Sequence, residues 1–257
     1  MEHLTYHAFS PVAGKMGSPA KALFRVMEQE NSEQPYSRMI RFRLEGKASA
    51  ECSDNYFVAI ADDECVCRHW YGWGKHPESI GNWGNFRTAE HMQGNGVGGK
   101  VLKMWLEDKN NRNDLPLALL CSCGTPSLVA YYSKYGFRPA LKGAEIGPLY
   151  CPLGDSPETF DSFCDSYYRP AAELICLPGS VGYRHEIDCL LNFALQANQI
   201  PFGLPSMPTY EMALLLLAQD PTAGILERFA TPQGHTVGWA FTPRGQKREI
   251  QIHPAYR

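Results

Sequence analysis

The residues best suited to chemistry are Gln93, Gly94, Asn95, Gly96, Val97, Gly98, Gly99 and Lys100, which run into an apolar pattern at Val97, Val101, Leu102, Trp105 and Leu106. That pattern has helical spacing. Glycines let a backbone turn tightly and approach a ligand, and the N–H groups opening a helix attract phosphate. The stretch therefore predicts a phosphate-binding turn, and its neighbours decide which phosphate. A nucleotide P-loop would use Gly94, Gly99 and Lys100, but Val101 has no hydroxyl to hold magnesium. A dinucleotide loop would use Gly94, Gly96 and Gly99. The strand that follows, 117–122, leads into Cys121, Ser122 and Cys123, without the acidic residue that grips a ribose. Both loops also follow an apolar strand, and "NWGNFRTAEHM" is mixed polar. A third frame runs from Gln93 through Gly96 and Gly98, and needs neither the hydroxyl nor the acid.

The surrounding pattern supplies elements to position this turn. Residues 97–110 read as a helix, and "LPLALLCS" reads as a short buried strand. Thr125 suits a helix N-cap, Pro126 the first helical position and Gly136 a left-handed stop. A short helix over 126–135 follows, and Phe137 opens another strand. Upstream, "YFVAIADDECVCRHWYGWG" and "IGNWGNFRTAEH" read as antiparallel strands joined by turns.

With Gln93, Gly96 and Gly98 in an Arg/Gln-x-x-Gly-x-Gly/Ala frame, and Ala130, Tyr132, Gly136 and Phe137 downstream, residues 1–155 resemble the GNAT superfamily of N-acetyltransferases. The resemblance implies an α/β (α+β) fold with a mixed, largely antiparallel central sheet flanked by helices. It implies acetyl-CoA as cosubstrate, with its pyrophosphate on Gln93–Lys100, Arg87 and Thr88 beside the acyl chain, and no metal. It also implies direct attack of a primary amine on the thioester in a ternary complex, with Tyr132 protonating the departing thiolate. Glu90 and His91, next to the loop, are the candidates for a base. Three tyrosines on one short helix, Tyr131, Tyr132 and Tyr135, also suit plain packing.

The chain has 257 residues, 44% of them hydrophobic, and a formal net charge of −3. It can bury a large core, and its charge argues against a non-specific nucleic-acid binder. Nine cysteines, an odd number, and an opening without a basic-then-apolar pattern predict a reducing, cytoplasmic setting. The longest apolar run, 212–218, is too short to span a bilayer.

Other constellations compete. Cys65, Cys67 and His69 alternate, so a regular strand would place them on one face, where Cys52 would complete a zinc site. The spacing is not a usual zinc pattern, and buried thiols acting as small hydrophobes are the simpler account. Cys121 and Cys123 offer a nucleophile or merely a buried strand end. The aromatics around Trp70, Trp73 and Trp83 suit packing more than substrate stacking.

Residues 156–171 read as a linker with a short helix. From 172 to 257 the order is strand, two helices and three strands, as at the start of the chain, and no second glycine loop follows. This segment reads as a partial GNAT-like or smaller α+β domain that shapes the acceptor site, with Tyr210, Glu211, Trp239 and His253 as contributors. The expected function is acetyl or short acyl transfer to a primary amine of a small-molecule acceptor, without nucleic acid or membrane as partner. A non-catalytic acyl-CoA sensor or scaffold is the alternative. Acceptor identity, chain length of the acyl group and oligomeric state are open at this level.

Overall fold

The computed structural model describes residues 3–31, 35–171 and 173–256. Ala172 and Arg257, the ends of the expected second segment, lie outside the described residues, as does Met1. The elements in order are β1 (Leu4–Phe9), α1 (Ser18–Asn31), α2 (Pro35–Leu44), β2 (Cys52–Ala61), β3 (Glu64–Gly74), β4 (Ile80–Thr88), α3 (Val97–Asn111) and β5 (Ala118–Cys123). Then come α4 (Pro126–Ser133), β6 (Arg138–Pro139), β7 (Gly147–Pro152), α5 (Phe160–Tyr167), β8 (Ile175–Pro178), α6 (Asn192–Ala197), α7 (Tyr210–Gln219), β9 (Gly224–Ala230), β10 (Thr236–Pro243) and β11 (Glu249–Ile252). Seven strands form one mixed, mostly antiparallel sheet in the order β1-β2-β3-β4-β5-β7-β6, and four form a second, β11-β10-β9-β8. Among the described residues, no helix is long and apolar enough to cross a membrane.

The chain divides into two compact units. The first holds residues up to Lys75 and Trp83–Leu115; the second holds His76–Asn82 and everything from Pro116. In the first unit β2 and β3 form a hairpin around Asp62 and Asp63, whose φ values of 48° and 63° suit a tight two-residue turn. One face of the sheet buries Tyr56, Val58, Ile60 and Trp70 against Leu23 and Met27 of α1 and Ile40 and Leu44 of α2. The other face buries Phe57, His69, Trp83 and Trp105, the last from α3. The tryptophans and Tyr71 are packing residues, as their patterning suggests.

A bulge in β3 overturns one expectation. Ala59 pairs with Cys67 but Ile60 pairs with Cys65, so Val66 is an extra residue. Cys65 consequently joins the α1 side with Ile60, while Cys67 and His69 stay on the α3 side. The three do not share a face, and among the described residues no His, Cys, Asp or Glu group is arranged to hold a metal.

In the second unit, β4 begins beside β5 in a parallel ladder from Ile80↔Ala118 to Asn82↔Leu120. The four-stranded sheet repeats the element order of β1 to β4: strand, helices, then three antiparallel strands. The first of the two helices expected in this segment opens as a π-helical turn, Glu186–Leu191, that runs into α6. Within that turn, fully buried Glu186 accepts from the Ile80 N–H at 2.9 Å. Asp188 accepts from the N–H groups of Tyr210 and Glu211, both at 2.8 Å, and so caps α7. Tyr210 and Trp239 are wholly buried; the Tyr210 hydroxyl donates to the Ser180 carbonyl at 3.1 Å. Both are core residues, and His253 stacks on Tyr168 at 3.9 Å.

Candidate functional site

The glycine loop lies in the first unit and its geometry follows from its glycines. Gly94 and Gly96 have φ values of 76° and 75°, in the left-handed region that side chains disfavour. Gly96 is the N-cap of α3 and provides no side-chain cap. The helix's own ladder starts with the Lys100 N–H on the Gly96 carbonyl, 3.2 Å. The N–H groups of Val97, Gly98 and Gly99 therefore stand ahead of the ladder, at the positive end of a fifteen-residue helix. A Cβ at Gly94, Gly96 or Gly99 would meet nothing within 4 Å, so this end of the helix is open. Such a cradle fits a diphosphate.

Gly98 has a different reason to be glycine. A Cβ there would come within 2.9 Å of Thr88 Oγ1 and 3.1 Å of Phe86 Cζ. The first turn of α3 thus sits directly on the end of β4. Gln93 ties the loop down, donating from Nε2 to the Thr88 carbonyl at 3.1 Å, and Asn95 donates to the Gln93 carbonyl at 3.3 Å. Buried Met92 anchors the 3-10 turn Glu90–Met92, which leaves Glu90 and His91 exposed. Lys100 is exposed, with its ammonium 5.4 Å from the Tyr6 ring centre.

β4 changes phase just before the loop. Trp83 and Phe86 both pack against His69 on the α3 side, and Thr88 shares that side through a 3.2 Å contact with Cys67 Sγ. Strict alternation would separate Trp83 from Phe86. Asn85, at φ 58°, supplies the extra residue of a bulge. Asn85 and Arg87 then face α1: Asn85 Nδ2 donates to Met27 Sδ at 3.7 Å, and Arg87 Nη1 lies 3.5 Å from Glu30 Oε2. Arg87 and Thr88, expected beside an acyl chain through their strand backbone, point to opposite faces of the sheet, as consecutive strand residues do.

Tyr132 lies in the second unit on α4. Thr125 Oγ1 caps that helix by accepting from the Leu128 N–H at 3.3 Å, and Gly136 stops it at φ 92°. The turn wraps back, so that the Tyr135 and Phe137 N–H groups donate to the Tyr132 carbonyl at 2.9 and 3.4 Å. The Tyr132 ring is buried beside Tyr131 and Phe137. Burial, aided by the nearby thiols of Cys121 and Cys123, pushes its phenol up to about 12. Burial also pushes the Cys121 thiol well up, which denies it thiolate character and disfavours it as a nucleophile. The sequence reading missed Glu30 and Arg68, whose ion pair faces Arg87. The bulge at Asn85 sets Arg87 beside that pair, and nothing in the local letters announces it.

No family model matches this chain, and no curated protein does. Among solved structures it is similar to a putative GNAT-family acetyltransferase from Desulfovibrio desulfuricans, at 17% identity and TM-score 0.41, covering 59% of this chain and 98% of that one. It is similar to Escherichia coli ElaA at 15% identity and TM-score 0.45, covering 58% and 99%. It is also similar to a GNAT family acetyltransferase from Elizabethkingia anophelis with acetyl-CoA bound, at 17% identity and TM-score 0.34, covering 60% and 100%.

Proposed function

We propose that this protein transfers an acetyl or other short acyl group from acetyl-CoA to a primary amine. The observation that carries the reading is the uncapped start of α3 on left-handed Gly96, with three free-standing backbone donors and glycines that keep the approach open. Those donors, with Gln93 bracing the loop and Lys100 nearby, would hold the pyrophosphate without a metal. Holding both reactants in one orientation would supply much of the rate.

In the proposed reaction the amine lone pair attacks the thioester carbonyl carbon. A C–N bond forms and the C–S bond breaks. The nitrogen loses a proton to a base, for which Glu90 and His91 are the candidates, and the thiolate gains one from Tyr132. A phenol held high by burial stays protonated at neutral pH, as an acid must. The acceptor is read as a small molecule, and the segment 172–257 as a smaller domain that shapes its site.

Calorimetric titration with acetyl-CoA, alongside ATP–magnesium and NAD, tests this. Micromolar binding of acetyl-CoA alone is expected. Heat from ATP or NAD without acetyl-CoA binding would put the phosphate loop in another frame and remove the mechanism.

A further inference from the structure

Two guanidinium groups and one carboxylate meet on the α1 side of β4. Arg68 is buried and clamps Glu30 with two parallel bonds, Nη1 to Oε1 at 3.1 Å and Nη2 to Oε2 at 2.5 Å. A buried guanidinium needs such a partner, so Glu30 is committed to Arg68. Among the described residues Arg87 receives only the longer 3.5 Å contact, and its side chain is 59% exposed. A guanidinium has five N–H donors in a fixed fork. With one long contact and more than half of its side chain exposed, Arg87 keeps donors for a second partner, and the triad carries one net positive charge. The Asn85 bulge sets Arg87 on this side, one residue before Thr88 and the loop.

We infer that the acceptor is an amino acid, held at its carboxylate by the outward fork of Arg87. This rests on the acyl-transfer reading above. A planar carboxylate matches the fork in two-point fashion, whereas a polyamine or a lysine-rich tail meets a like charge.

The test follows thiol release from acetyl-CoA with the proteinogenic amino acids, their carboxamides and the matching decarboxylated amines. Spermidine and a lysine-containing peptide serve as cationic acceptors. At least one acid should exceed its own amide in kcat/KM by roughly tenfold or more, the scale of a charge-assisted bidentate contact. Arg87→Gln should bring that ratio close to one, mainly by raising KM for the acid, and Arg87→Lys should retain part of it. Glu30→Gln should move the ratio the other way, because it removes the competing carboxylate. Thermal melts of all three variants report whether the fold survives. Equal use of acids and amides, a preference for spermidine or the peptide, or a ratio unmoved by Arg87→Gln would overturn the inference and leave acyl transfer standing. Absence of acetyl-CoA binding, or of thiol release with every amine, would overturn both.

Discussion

Gly98 sits on Thr88 so closely that a single methyl group would reach to 2.9 Å from the threonine hydroxyl. The start of α3 and the end of β4 are therefore one rigid joint, with the cradle on one side and the strand on the other. Gly98→Ala should cost about 1–3 kcal/mol by overpacking and weaken acetyl-CoA binding roughly tenfold. In a Thr88→Ala background part of that loss should return, since the closest atom is gone and only Phe86 remains. A double-mutant cycle on melting temperature and calorimetric Kd checks this. Additive effects would show that the contact is not the cause.

Gly96 poses a separate constraint, because the space around it is open and only its φ of 75° resists a side chain. Gly96→Ala should lose about 1–2 kcal/mol of stability, and Gly96→Asn clearly less, since asparagine tolerates the left-handed region. Chemical denaturation of both variants decides the matter. Equal losses would mean that sterics, not backbone strain, govern the cap.

Tyr132→Phe isolates the proposed acid. It removes one hydroxyl from a buried ring and leaves its packing on Tyr131 and Phe137. Turnover should fall by about 100-fold or more while the Kd for acetyl-CoA stays within about twofold. An unchanged kcat would assign the helix a packing role alone.

His69 predicts an acid-sensitive core. Its ring is wholly buried against Trp83 and Trp105; the Gly84 carbonyl lies near it, yet neither ring nitrogen makes a well-formed hydrogen bond among the described residues. Burial pulls its pKa down to about 3. A folded value below the unfolded one, about 6.5, means that the unfolded chain binds the proton first as pH falls. Stability is fully present above about pH 6.5 and is lost at about 1.4 kcal/mol per pH unit below it. His69→Leu should flatten the stability curve between pH 6.5 and 5. An identical slope in the variant would place the acid sensitivity elsewhere.

The regular parts of the molecule were legible because they obey simple periods. The helical spacing from Val97 to Trp105 appears as α3, and Thr125, Pro126 and Gly136 bound the short helix as their chemistry suggests. Places where a period slips were not legible. Val66 is one extra residue and sends Cys65 to the wrong face for the imagined zinc site. Asn85 is another and turns Arg87 to the α1 side of the sheet, opposite Trp83. The π-helical turn at Glu186–Leu191 looks like ordinary helix in the letters, and its carboxylates find partners 106 and about 22 residues away in sequence. Those partners are fixed by tertiary packing, which local propensity does not encode.

The two bulged strands carry their meaning in residue count as much as in residue type. A substitution at Asn85 alters one side chain, but deleting it would rotate everything on one flank by half a period, either swinging Arg87 into the hydrophobic interior or turning Trp83 out of it. Insertions and deletions in β3 and β4 should therefore be purged far more strictly than conservative replacements. A library of single-residue deletions across these strands would read as a map of where the chain keeps time.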